Sequence, residues 1–279
     1  MDDTEEFIAE IVANPADITP RLIFADWLEE QGDPRGEFIR LQCQWDPAQI
    51  ATDEQIADRS RERDLLQTYG PRWSAHVAPH CVNYQFIRGF VEYVEIEAAT
   101  LIEHGPMILK STPLRVLNLR MSTFGNLRAH SLSEIADTGV FRNLVGLFLE
   151  DIPLRVGDFE ALADRPDDLS EIERLCLVNC RITETMVELL CQRNMPHLQL
   201  LDLGNNSIRN TGVHAICSAA FAPGLRSLTL TNNQIRKKGG HRLATAAWLD
   251  NLIELDIRRN QLADSDIALI AERVPNVQL

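Results

Sequence analysis

The sequence predicts an α/β fold in two parts, a small all-helical segment followed by a solenoid of strand–helix units. Two observations predict it. Residues 198–279 repeat one apolar pattern at a spacing of 27. The first 70 residues carry no such repeat; their apolar residues recur at three- and four-residue intervals, the period of a helix face.

In the first part, Phe7, Ile8, Ile11 and Val12 form one helical stripe. Leu22, Ile23, Phe24, Trp27 and Leu28 form a second. Pro20 suits the first turn of that helix and Gly32 its C-terminal stop. Asp33 can cap a third helix with Pro34 at its first position, and Phe38, Ile39, Leu41 and Gln42 belong to it. RLIFADWLEEQGDPRGEFIRLQ, residues 21–42, therefore reads as an αα-hairpin. Asp26 falls mid-helix beside the apolar stripe, where a carboxylate needs a cation, and Arg35 or Arg40 can supply it. The reading is a structural ion pair. Thr52 with Gln55 makes a capping-box start for a fourth helix that runs to about Tyr69 and ends at Gly70–Pro71. Residues 1–70 form the helical cap, 71–90 a connector, and 91–279 the solenoid.

The repeats begin with LQLLDLGNNSI at Leu198, LRSLTLTNNQI at Leu225 and LIELDIRRNQL at Leu252, each spelling L-x-x-L-x-L-x-x-N-x-L. Weaker copies precede them: LRVLNLRMSTF at Leu114, LVGLFLEDIPL at Leu144 and IERLCLVNCRI at Ile172, with Ser122, Ile152 and Cys180 in the Asn position. A degenerate copy, VEYVEIEAA from Val91, brings the total to about seven. Alternation in L-x-L makes a short strand with one face inward, and successive strands stack in parallel. Asn206, Asn233 and Asn260 turn inward, where an amide can satisfy buried backbone groups. The returns TGVHAICSAAF, GGHRLATAAWL and DSDIALIAERV have helical periodicity.

This pattern resembles the leucine-rich repeat family, and helical returns in units of this length resemble its ribonuclease-inhibitor-like subclass. The resemblance implies strands on a concave face, helices on a convex face, and a tolerated Cys in the Asn position. Residues 21–42, preceded by FIAEIVANPAD, resemble the N-terminal repeat-companion domain of planctomycete and other bacterial proteins. RGFVEYVEI resembles the segment leading from that domain into leucine-rich repeats. The resemblance implies a bacterial protein and no particular activity.

The net charge of −14 argues against a nucleic-acid surface, which needs excess Lys and Arg. MDDTEEFIAEI lacks the basic and apolar regions of a signal peptide, and no apolar run reaches membrane-spanning length. The expectation is a cytoplasmic chain with reduced thiols and no membrane partner. His76 and His80 have the i, i+4 spacing of zinc ligands, but Pro79 interrupts the helix they would need. Cys180, Cys191 and Cys217 fall on inward positions; Cys176 falls in the central x of L-x-L and reads as an exposed thiol. No phosphate, dinucleotide or hydrolase motif is present. No catalytic residue, cofactor or metal is expected.

The function expected is protein binding on the concave face, as an adaptor or scaffold. Its candidate residues are Tyr93, Arg120, Met121, Phe148, Glu150, Cys176, Asp202 and Arg258, with Phe148 as the apolar anchor. One alternative is an enzyme or regulatory subunit with a cleft near Asp26, Arg35 and His76. Another is a self-associating structural module. VPNVQL aligns with MPHLQL at 195–200, so residues 277–279 open another strand, and weak self-association through that edge is expected.

Overall fold

The structure, a computed structural model, describes residues 3–44, 53–120 and 132–279. The chain divides into two compact units, one holding residues up to Ile96 together with Thr100–Val116, the other Glu97–Ala99 and Leu117–Leu279.

The first unit contains α1 (Asp3–Ala13), α2 (Thr19–Glu30), α3 (Arg35–Gln44), α4 (Asp53–Trp73), strands β1 (Asn83–Ile87) and β2 (Phe90–Glu97), and most of α5 (Ala98–Ser111). The turn between α2 and α3 follows from its residues. Gly32 takes a left-handed φ of 70°, which ends α2, and the Asp33 carboxylate accepts the Arg35 N–H at 2.9 Å to start α3. Gly36 then lets α2 and α3 approach closely, since a Cβ there would sit 2.6 Å from the Ala25 carbonyl. Ile11, Phe24, Ala25, Leu28, Ile39 and Phe90 form the buried core.

Two features of this unit differ from expectation. α4 continues through Gly70–Pro71 to Trp73. Trp73 stacks on Phe38 with ring centroids 4.9 Å apart, and Ser74 bonds back to the Gly70 carbonyl. Those contacts offset the hydrogen bond that Pro71 cannot donate. Residues 71–90, expected as a connector, hold the end of α4, a short 3-10 turn and β1. β1 and β2 form an antiparallel hairpin turned at Arg88 and Gly89, whose φ values of 52° and 85° suit a two-residue turn. The Thr52 of the expected capping box lies outside the described residues.

The second unit alternates strand and helix: β3 (Val116–Arg120), α6 (Leu132–Ala136), β4 (Gly146–Glu150), α7 (Val156–Ala163), β5 (Arg174–Val178), α8 (Glu184–Cys191), β6 (Leu200–Asp202), α9 (Arg209–Ser218), β7 (Ser227–Thr229), α10 (Lys237–Ala244), β8 (Glu254–Asp256), α11 (Asp264–Arg273) and β9 (Asn276–Gln278). From β3 to β9 the strands lie in chain order, and β4 to β9 pair in parallel. The first leucine of each L-x-L stays in register: Leu147, Leu175, Leu201, Leu228 and Leu255 are buried neighbours. This is a leucine-rich repeat solenoid.

The asparagines knit the repeats. Asn206 donates to Leu177 O at 2.7 Å, and its side-chain oxygen accepts from the N–H groups of Cys180 and Ile182 at 3.0 and 2.9 Å. Asn233 and Asn260 reach one repeat back in the same way, donating to Leu203 O at 2.7 Å and to Leu230 O at 2.8 Å. Cys180, in the Asn position, sets its thiol 3.4 Å from Leu149 O, the equivalent carbonyl one repeat earlier. The thiol is a weak donor, so cysteine keeps a weaker form of the bridge.

Candidate functional site

Side chains at the middle of the strands point away from the leucine core and line up across the sheet. Phe148, Cys176, Asp202, Thr229, Asp256 and Gln278 are successive register partners. Each of the first five is partly exposed. Glu150 and Arg120 are exposed at the ends of β4 and β3. The row one step beyond the strands turns sharply: Asp151, Asn179, Asn205, Asn232 and Arg259 all have left-handed φ between 53° and 58°. Asn and Asp tolerate that conformation better than most residues. In two places their side chains also pair between repeats, Asn179 with Asp151 at 2.5 Å and Asn232 with Asn205 at 3.1 Å.

The charge on this face is uneven. Burial raises the pKa of Asp202, and nearby Asp256 and Glu150 add to the rise, although the Gly204 N–H donates to its carboxylate at 2.8 Å. Burial also opposes ionisation of Asp256, but hydrogen bonds from the Arg258 side chain and N–H outweigh it, and its pKa lies below the ordinary carboxylate value. Arg258 is thus engaged by the neighbouring Asp256, its Nε 3.0 Å from one carboxylate oxygen. Cys176 is half-buried, and its thiol is pushed up to about 12 by burial and by Asp202. The expected exposed thiol is therefore a poor nucleophile at neutral pH.

The other expected residues are placed as follows. Tyr93 lies half-exposed on β2 in the first unit, opposite Gln85. Glu95 on the same strand is buried, because β2 is enclosed along most of its length on both faces. Met121 lies outside the described residues. Asp26 pairs with Arg40, not with Arg35, and both members of the pair are well exposed. An exposed pair contributes little. Asp26→Asn should lower stability by less than about 1 kcal/mol, which denaturant melts of the two proteins will check. Arg35 instead lays its guanidinium 4.7 Å from the centre of the Phe90 ring. The His80 ring sits 4.0 Å from that of His104, and no group of three or more metal-ligating side chains occurs among the described residues.

Sequence reasoning missed the most deeply buried charges. Arg21 is fully buried, its Nη1 2.9 Å from a Glu92 carboxylate oxygen and its Nη2 donating to Pro15 O at 2.9 Å. Arg88 holds the other Glu92 oxygen at 2.7 Å. The signal was present: Arg21 falls in step with Phe24, Ala25 and Leu28 on the apolar face of α2.

A family model described as Leucine Rich repeat matches residues 194–217, spanning the start of β6 to the end of α9. That match covers one repeat of the solenoid. No curated protein matches the chain. A Bacteroides fragilis protein of known crystal structure is 14% identical, with a TM-score of 0.33, over 60% of this chain. The match spans 65% of that protein's own length. No helix among the described residues is long and apolar enough to cross a membrane.

Proposed function

We propose that the leucine-rich repeat unit is a protein-binding module whose strand face accepts a basic segment of a partner. The observation that carries this reading is the row Phe148, Cys176, Asp202, Thr229 and Asp256. It sets an aromatic side chain two strands from a carboxylate whose charge is opposed by burial and by two further acids. A Lys or Arg from a partner relieves that opposition, while an apolar side chain packs on Phe148. Extended strand faces are the surfaces solenoids use for binding. Glu150 and Arg120, exposed at strand ends, orient the partner and set its association rate more than its affinity. The proposed role is that of an adaptor acting in the cytoplasm.

Selection of random displayed peptides on the immobilised protein tests the reading. Enriched peptides should combine Lys or Arg with a bulky apolar residue. Phe148→Ala should weaken them by about 2 kcal/mol or more, as aromatic anchors do, with little change in the melting transition. Asp202→Asn should remove the preference for basic residues. Affinity should also fall as pH drops through the raised pKa of Asp202, because protonation removes the charge the partner's cation meets. Peptides indifferent to both substitutions would place the binding surface elsewhere.

A further inference from the structure

The first unit contains a half-open cavity of about 1070 Å³ lined by α1, α2, the start of α3, the end of α4 and α5. That is at or above the size of small-molecule pockets, roughly 300–1,000 Å³. Ile8, Val12, Leu28, Val91 and Met107 give it an apolar wall, and Met107 is exposed there. One region of the lining is cationic. Arg35 and Arg72 both line it, facing a single carboxylate, Asp33, whose nearest oxygen is 3.9 Å from Arg72. Lys110 and the acid Glu5 complete the fully charged lining, which thus has three cations and two carboxylates. This is a cationic wall in a chain of net charge −14.

Two hydrogen-bond donors belonging to the lining are enclosed without an acceptor among the described residues. They are Arg35 Nε and Trp73 Nε1. Arg35 rests on the Phe90 ring and makes no salt bridge among the described residues. Buried donors without a partner are uncommon in folded proteins and call for an explanation. Burial draws the Arg35 pKa down to about 10, with Asp33 opposing the shift and Arg72 adding to it. The side chain is still a cation at neutral pH.

We propose that this cavity binds a small amphiphile with an apolar body and one anionic head, of the class of a long-chain carboxylate. The body lies along Ile8, Val12, Leu28 and Met107, and the head meets Arg35 and Arg72. Most of the wall is helix, whose backbone groups bond within themselves, so an extended peptide finds no row of main-chain partners there. An alkyl body requires none. The ligand class follows from this lining and is independent of the strand face proposed above.

Calorimetric titration of the full chain with dodecanoate, dodecyl phosphate, dodecanol and dodecylammonium tests the inference. Dodecanoate should bind at micromolar concentration, at least tenfold more tightly than the alcohol or the ammonium. The dodecyl phosphate arm distinguishes a carboxylate from a phosphate head. Arg35→Gln should remove that tenfold preference. Because Arg35 packs on Phe90 and its loss can unfold the unit, the exposed Arg72→Gln serves as the second variant and should reduce the preference at least threefold. Met107→Glu should weaken dodecanoate at least tenfold. Equal binding of acid and alcohol, tighter binding of the phosphate, or no binding below millimolar concentration would overturn the assignment.

Discussion

Glu92→Gln is expected to destabilise the first unit by about 3–5 kcal/mol, the usual consequence of breaking a buried ion pair on one side. Glu92 is almost wholly buried and holds two guanidiniums, Arg21 on one carboxylate oxygen and Arg88 across both. Glutamine keeps the shape and loses the charge. Arg21 would then remain fully buried with no anion beside it, and Arg88 would lose its i, i+4 partner. Burial already lowers the pKa of Arg21, and Glu92 opposes that shift. Trp27, Trp45 and Trp73 are three of the four tryptophans, so tryptophan fluorescence reports mainly on this part of the chain. Its denaturation midpoint should fall well below that of wild type, while the circular dichroism of the repeat helices persists to higher denaturant. A midpoint equal to wild type would mean that the network contributes nothing to folding.

Asn206→Ala should destabilise the repeat unit by about 3 kcal/mol, since a buried group left without its partner costs about 1–3 kcal/mol. Asn206 accepts from two N–H groups of the preceding repeat and donates to Leu177 O and, at 2.9 Å, to Leu203 O. Alanine leaves the two N–H groups and Leu177 O without these bonds, in an interior that admits little water. Asn260→Ala should cost less, because Asn260 is only half-buried and water can replace part of what is lost. Equilibrium melts of the two variants give the comparison. Equal effects would show that burial does not set the cost.

The repeats were legible because their information is local. Leu198, Leu225 and Leu252 open copies of one pattern, and each copy specifies its own strand, inward Asn and return helix. The αα-hairpin was legible for the same reason, since Gly32 and Asp33 act on their immediate neighbours. The cap ran past its expected end at Pro71 because Trp73 found Phe38, 35 residues away in sequence, an aromatic contact that no local rule contains.

By itself the sequence determined the class of fold, the number and order of most strands, and the outward row that makes Phe148 and Asp202 neighbours of Cys176. The tertiary structure alone decided which charges are buried and which side chains face a cavity. Arg21 and Glu92 each stand in phase with apolar residues, an arrangement visible in the sequence but costly unless the two meet. They do meet, 2.9 Å apart, because the β1–β2 hairpin packs against α2. Of the two arginines read as possible partners of Asp26, Arg40 makes the pair and Arg35 is a wall of the cavity instead. Periodicity states which face of a helix is apolar; what that face meets, and whether a space remains between, depends on elements brought together from distant parts of the chain.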